Sequence, residues 1–349
     1  MRPVFLHSAF RSGSTYLWSR FRACADVCAY YEPFHEVLAT ITPDELGKLR
    51  PDSWNSGHAG LSAPYFAEYA PLLRPENGVA LFAAAFTWDD FFLPLRDEEP
   101  LIRYIRSLVD QAIGQGRTPV FGFCRSLGRV AWFRQHVPGL QVVTVRDPFD
   151  QWLSVITQRR NGNPYFVKML ACVREQALRR PQLAPLFSAP VLPENELDTL
   201  ARDMSESDAL RLFLRCYAVQ TALSVPYADL VLELTRAALE PDYRAEAERE
   251  LVAASGLATL RLDDCRTPTC GPGPDFTLYA ETLDAECEGL GQALRAIGDP
   301  ALDAGWRVCK ALFVRSLKAR GVHGVAAAAS QSPGLPRTEL IRQDAERRR

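Results

Sequence analysis

Short, almost wholly apolar runs recur along this chain, separated by longer stretches whose apolar residues follow a helical spacing. The runs are Pro3–His7, Thr118–Cys124, Leu140–Val145 and Asp229–Leu234. Each is of strand length and reads as a strand with no solvent-facing side. Helical spacing covers Ser14–Cys24, the stretch carrying Ile102, Ile105, Leu108 and Ile113, the stretch through Val130–Phe133, and a helix opened by Asp147-Pro148. It recurs over Ser205–Ser224 and Tyr243–Ala254, and as two helices between Phe276 and Arg320. Strands that alternate with helices pair in parallel and need both faces of the sheet covered. The pattern therefore predicts an α/β fold with a central parallel sheet and helices on both faces.

The 349 residues leave room for two domains, but the pattern reads as one, residues 1–322. Within it, residues 51–95 form an insertion of the kind that covers active sites. Residues 323–349, small and polar and ending in three arginines, are expected to be a disordered tail. Forty basic against 42 acidic side chains give a net charge of -2, which argues against a nucleic-acid partner. The only lysines are Lys48, Lys168, Lys310 and Lys318, so an anion site here has to be built from arginine forks and backbone amides. No apolar stretch is long enough to be a transmembrane segment, and the first residues lack a signal-peptide pattern, so a cytoplasmic location is expected. The nine cysteines are irregularly spaced, with Cys24 and Cys28 placed on a helix end. They read as free thiols, and no metal site is expected. Nothing in the sequence fixes the oligomeric state.

The most informative stretch runs from Val4 to Leu17. A buried strand enters the turn Ser8-Ala9-Phe10-Arg11-Ser12-Gly13-Ser14-Thr15, and a helix follows. Small side chains around Gly13 let backbone N–H groups converge, and the helix start adds donors and partial positive charge. Such a turn can cradle a phosphate-like anion, with Arg11 in reach and Ser14 and Thr15 offering hydroxyls. It can equally be a helix start whose serines satisfy its own amides. It is not a Walker A loop, because GxxxxGK[ST] is absent. A second stretch favours the anion reading. The strand ending at Val145 continues as Arg146-Asp147-Pro148, with Ser154 eight residues after Arg146. Open α/β sheets bind ligands at the carboxyl ends of their strands, where both stretches fall.

Together the two motifs resemble the sulfotransferase family that uses 3'-phosphoadenosine 5'-phosphosulfate. That family binds the 5'-phosphosulfate with [RK]-S-G-[ST]-[ST], matched by Arg11, Ser12, Gly13, Ser14 and Thr15. It binds the 3'-phosphate with an R-[DN]-P strand end and a serine eight residues on, matched by Arg146 and Ser154. The resemblance covers roughly residues 1–160 and implies a three-layer P-loop-like fold. It also implies sulfuryl transfer to an acceptor hydroxyl, without a metal. The glycine- and lysine-rich C-terminal loop of the cytosolic steroid and phenol enzymes is missing. Arginine at position 11 places the chain nearer the carbohydrate-type and bacterial branches. The acceptor is then a glycan or a small metabolite.

The carbohydrate-type enzymes carry an E-P motif after the first helix, similar to Glu32-Pro33 here. Glu32 is accordingly a candidate general base, and Tyr31 and Phe34 beside it would raise its pKa. A residue before proline is expected to be extended. Glu32 can alternatively pair with an arginine and hold its loop. His35 is the second candidate base, and His7 reads as structural. Tyr65, Tyr69 and Trp88–Phe92 can line an acceptor pocket or belong to the core. Two other functions are compatible with the anion motifs: phosphoryl transfer, which the missing Walker lysine disfavours, and nucleotide binding without catalysis.

Overall fold

Burial on both faces is what turns the apolar runs into strands, and the described residues carry five of them, all parallel. The computed structural model describes residues 1–50, 63–92, 97–187, 192–266 and 273–322. Strand β1 (Val4–Ser8) leads through the loop at 9–13 into α1 (Ser14–Arg22), and the chain returns as β2 (Val27–Tyr31). Helices α2 (Pro43–Lys48), α3 (Ala85–Trp88) and α4 (Glu99–Gly114) precede β3 (Thr118–Phe123). Helix α5 (Val130–His136) connects to β4 (Leu140–Val145). Four helices follow: α6 (Pro148–Arg160), α7 (Tyr165–Leu178), α8 (Leu197–Asp203) and α9 (Glu206–Ser224). Strand β5 (Leu230–Glu233) then leads to α10 (Leu234–Leu239) and α11 (Pro241–Ser255). The described chain closes with α12 (Pro274–Ala296) and α13 (Pro300–Lys318).

The strand order is β2-β3-β1-β4-β5. β1 is central, with Phe5 opposite both Phe121 and Gln141, and Ser8 opposite Thr144. Alternate side chains sort to the two faces. On one face Phe5, Phe121 and Tyr30 stack in a row, with ring centroids 5.0 and 5.4 Å apart, and Phe133 of α5 covers Phe5. On the other, Trp18 of α1 lies 4.8 Å from the Tyr31 ring and donates from Nε1 to the Ala29 carbonyl. It also fills the space above Gly122, where a Cβ would lie 2.9 Å from Trp18 Cδ1. Helices thus cover both faces of this α/β sheet.

β2 was not among the predicted strands, and Cys28 belongs to it, not to a helix end. Its five residues, VCAYY, lack the aliphatic density of the other runs. They hold a strand because β3 offers a parallel edge, with Val27 opposite Thr118. None of the eight described cysteines forms a disulfide. No helix among the described residues is long and apolar enough to cross a membrane.

The chain divides into two compact units. The first comprises Met1–Val145 and Leu230–Thr267 and contains the whole sheet. The second comprises Arg146–Asp229 and the chain from Pro268 onward, and its described elements are helical. Helical periodicity identifies an apolar face but not what covers it. α9 is buried nearly all round, and α12 and α13 pack on it. Of the expected insertion, 51–62 and 93–95 lie outside the described residues, as does the expected tail at 323–349. In the described part, Tyr65, Phe66, Tyr69, Val79 and Phe82 are buried in the core of the first unit, while residues 74–77 are exposed.

In the second unit, α9 and α13 approach closely at Gly305. A Cβ there would lie 2.3 Å from the Ala222 carbonyl oxygen. Gly305→Ala is expected to destabilise the protein by about 1–3 kcal/mol, read from urea unfolding. An unchanged midpoint would contradict this packing.

Candidate functional site

In the loop after β1, two residues turn the chain through the left-handed region: Arg11 at φ 63° and Gly13 at φ 90°. At Gly13 a side chain would be strained by the positive φ and would displace a Leu234 methyl 2.5 Å from where its Cβ would sit. Ser12 is buried and spends both its donors on the Ala9 carbonyl, Oγ at 2.8 Å and N at 3.3 Å. These two bonds close the loop. Helix α1 begins on Gly13 without a side-chain cap. Its first intrahelical bond is Leu17 N–H to the Gly13 carbonyl, so the N–H groups of Ser14, Thr15 and Tyr16 have no acceptor within the helix. By contrast α2, α6, α9 and α13 are capped by Thr42, Asp147, Ser205 and Asp299.

The start of α1 is tied to the carboxyl ends of the neighbouring strands. Ser14 Oγ accepts from Cys124 Sγ at 3.1 Å, just after β3, which leaves the serine hydrogen to donate elsewhere. Thr15 Oγ1 lies 3.2 Å from Tyr31 Oη, at the end of β2. The next residues on those strands are Arg125 and Glu32.

Glu32 is buried, and its Oε2 accepts from Arg125 Nη1 at 2.9 Å. Arg125, only 1% exposed, also donates from Nη2 to Glu36 Oε2 at 2.8 Å. Its guanidinium lies 5.1 Å from the Phe10 ring centroid and 5.5 Å from that of Trp88, both within cation–π range. The pairing of Glu32 with an arginine is thus present. The other carboxylate oxygen, Oε1, is buried without a hydrogen-bond partner. Burial pushes the Glu32 carboxyl above the usual range, and Arg125 offsets this only in part. The backbone expectation for Glu32 does not hold: its φ is 43°, left-handed, not extended. Its N–H continues the ladder to the Gly122 carbonyl at 2.7 Å, while its own carbonyl accepts from His35 N–H at 2.8 Å. Those two bonds force the chain to reverse at Glu32, at a cost of about 1–3 kcal/mol of the kind stored at functional sites.

His35 caps the turn that follows it: its Nδ1 accepts from Val37 N–H at 3.2 Å and lies 3.5 Å from Glu36 Oε2. Burial first, and then Arg125, pull its pKa down to about 3. His7 is fully buried between Ser126 Oγ at 2.7 Å and Gln141 Oε1 at 2.8 Å, with its pKa lowered by burial to about 4. Of the aromatic candidates, Tyr65, Tyr69, Phe91 and Phe92 are core, whereas Trp88 is half-buried over Arg125.

In the second unit, Arg146 directly follows β4 and is buried, and Asp147 caps α6 by accepting from Asp150 N–H at 3.0 Å. Pro148 takes the first helical position, as expected, and Ser154 lies within α6. β1 and β4 are hydrogen-bonded parallel neighbours, so the chain leaves both at the same edge of the sheet.

Arg125 was not among the candidates read from the sequence, although it repeats the signal of Arg146, an arginine just past a strand's carboxyl end. Arg129 was missed altogether. It is buried, lies 4.7 Å from the Phe34 ring centroid, and donates to the carbonyls of Phe86, Asp89 and Asp90. It thereby fixes the segment carrying Trp88. Among the described residues, no group of three or more His, Cys, Asp or Glu side chains is arranged to hold a metal ion. Compared with protein-family models, curated proteins and solved structures, the chain gives no match to any of them.

The histidines set a pH dependence. Both have folded-state pKa values below the ordinary 6.5, so the unfolded chain binds more protons in mildly acid solution. Stability is therefore present above pH 6.5 and falls as the pH drops from there towards 4. His35→Asn, which can keep the cap, is expected to remove about half of the slope between pH 6.5 and 5, measured by urea unfolding. An unchanged slope would mean that His35 is not held neutral.

Proposed function

We propose that the chain is a sulfotransferase of P-loop-like fold. It moves a sulfuryl group from 3'-phosphoadenosine 5'-phosphosulfate to an acceptor hydroxyl on a carbohydrate or small metabolite, in the cytoplasm. The observation that carries this reading is the cradle at Gly13. There a buried parallel strand, a left-handed glycine closed off by Leu234 and a helix start without a side-chain cap converge beside Arg11. That donor set suits a 5'-phosphosulfate. The second motif of this reading, Arg146-Asp147-Pro148 after β4 with Ser154 in α6, is assigned the 3'-phosphate.

In this reaction the acceptor oxygen–sulfur bond forms as the bridging sulfur–oxygen bond breaks, leaving adenosine 3',5'-bisphosphate. Arg11 and the amides of Ser14 and Thr15 offset the negative charge gathering on the departing oxygen. Glu32 takes the acceptor proton, and its raised pKa brings it nearer the operating pH of a general base. Arg125 keeps that carboxylate oriented. Arg146 and Ser154 hold the 3'-phosphate.

Calorimetry with adenosine 3',5'-bisphosphate is the primary test: binding is expected, and its absence sinks the assignment. In a labelled-sulfate screen over glycan, phenol and peptide acceptors, Arg11→Ala is expected to abolish transfer. Ser154→Ala is expected to weaken nucleotide binding while retaining transfer at saturating donor. Full turnover by Glu32→Gln would move the base elsewhere.

A further inference from the structure

The residue that follows β3 is a cysteine, Cys124, and it is buried at the carboxyl edge of the sheet. A small buried thiol is often mere filling. This one reaches the start of α1: its Sγ donates to Ser14 Oγ at 3.1 Å. A hydroxyl carries one hydrogen and two lone pairs. Once Ser14 Oγ accepts from the thiol, its own hydrogen points away from Cys124. Ser14 is the first residue of α1, where the helix has no side-chain cap and the N–H groups of residues 14–16 have no acceptor within the helix. The serine hydrogen is therefore left to the same cradle as those amides, as a further donor.

The thiol can play this part only while it keeps its proton. Burial first, and then the neighbouring Glu32 carboxylate, hold Cys124 well above the ordinary cysteine range, while Ser14 and Arg125 oppose this by less. Cys124 thus lies between the two halves of the candidate site, the Gly13 cradle and the candidate base. A second observation points to a ligand on the side of the base. Glu32 is 3% exposed, and its Oε1 is buried without a hydrogen-bond partner. An acceptor hydroxyl would supply the missing donor. Ser14, Glu32 and Cys124 all belong to the first unit.

We propose that Cys124 is a positioning residue for binding of the sulfuryl donor. By donating to Ser14 Oγ, it fixes the Ser14 hydroxyl as a donor to the anion held at the start of α1. It acts through Ser14 and takes no part in the transfer itself. This inference rests on the sulfotransferase reading above. It adds a residue from β3, more than 100 positions after the motif that it serves, to the machinery that binds the 5'-phosphate.

The test is calorimetry of the full chain with adenosine 3',5'-bisphosphate, using variants that separate the thiol's hydrogen from its volume. Cys124→Ser keeps a donor in a smaller side chain and is expected to bind within about twofold of wild type. Cys124→Val fills the space without a donor and is expected to weaken binding by about threefold or more. Ser14→Ala, which removes the hydroxyl that meets the anion, should weaken it by about tenfold. In the Ser14→Ala background, Cys124→Val should add nothing further, because both changes remove the same contact. Should Cys124→Val fail to fold, Cys124→Ala gives the donor-free comparison. The proposal is overturned if the donor-free variant binds like wild type, if Cys124→Ser is weakened as much as it, or if the losses at 14 and 124 simply add. Wild-type protein that binds no bisphosphate refutes the nucleotide reading instead, so the two failures are told apart.

Discussion

Hydrogen bonding of β1 on both sides is the constraint from which the rest follows. A strand buried on both faces has no water to satisfy its backbone, so every N–H and carbonyl must find a partner strand. β3 and β4 supply them, in parallel and in fixed register, Val4 opposite both Val120 and Leu140. Parallel pairing puts all the carboxyl ends at one edge of the sheet. The Gly13 loop, Glu32 and Arg125 occupy the ends of β1, β2 and β3 for that reason alone. The Trp18 ring over Gly122 then seats α1 close to the strands, which holds its uncapped start beside Cys124 and Tyr31.

Arginine does the internal electrostatic work. Arg125 meets two carboxylates between aromatic rings, Arg129 meets three carbonyls, and Arg320 meets two carboxylates over two rings. A planar five-donor fork can satisfy several acceptors at once and still stack, which a lysine ammonium cannot do. Buried guanidiniums of this kind gain little net stability, because desolvation consumes most of the attraction. Their effect is positional. Each fixes a segment that carries a candidate functional residue: Glu32, Trp88 and Arg146.

Much of the first unit was legible in the residues. Pro3–His7 and Leu140–Val145 have so few polar groups that only doubly buried strands suit them. Gly13 among small hydroxyl residues could be read as a turn before a helix. The α6 start was equally readable, because Pro148 and Asp147 leave few other conformations. β2 was not readable, since VCAYY becomes a strand only where β3 offers an edge. Glu32 was misjudged because a local preference before proline lost to two hydrogen bonds, one to a distant strand. The cap that His35 makes on Val37 N–H is likewise invisible until the turn is known. Nor do the residues alone reveal the two bonds from Ser12 to the Ala9 carbonyl.

The sequence alone determined the alternation of strands and helices, the glycine-centred turn and the scarcity of lysine, because these depend on local conformational preference and composition. Tertiary structure decided the division into two units and the pairing of Arg125 with Glu32 and Glu36. It also decided the capture of Asp147 and Asp150 by Arg320. Those outcomes join residues 89–93 and 170–173 positions apart. An ion pair has no sequence period. Which charge meets which depends on where packed helices and paired strands carry them, and only the folded chain brings those charges within reach.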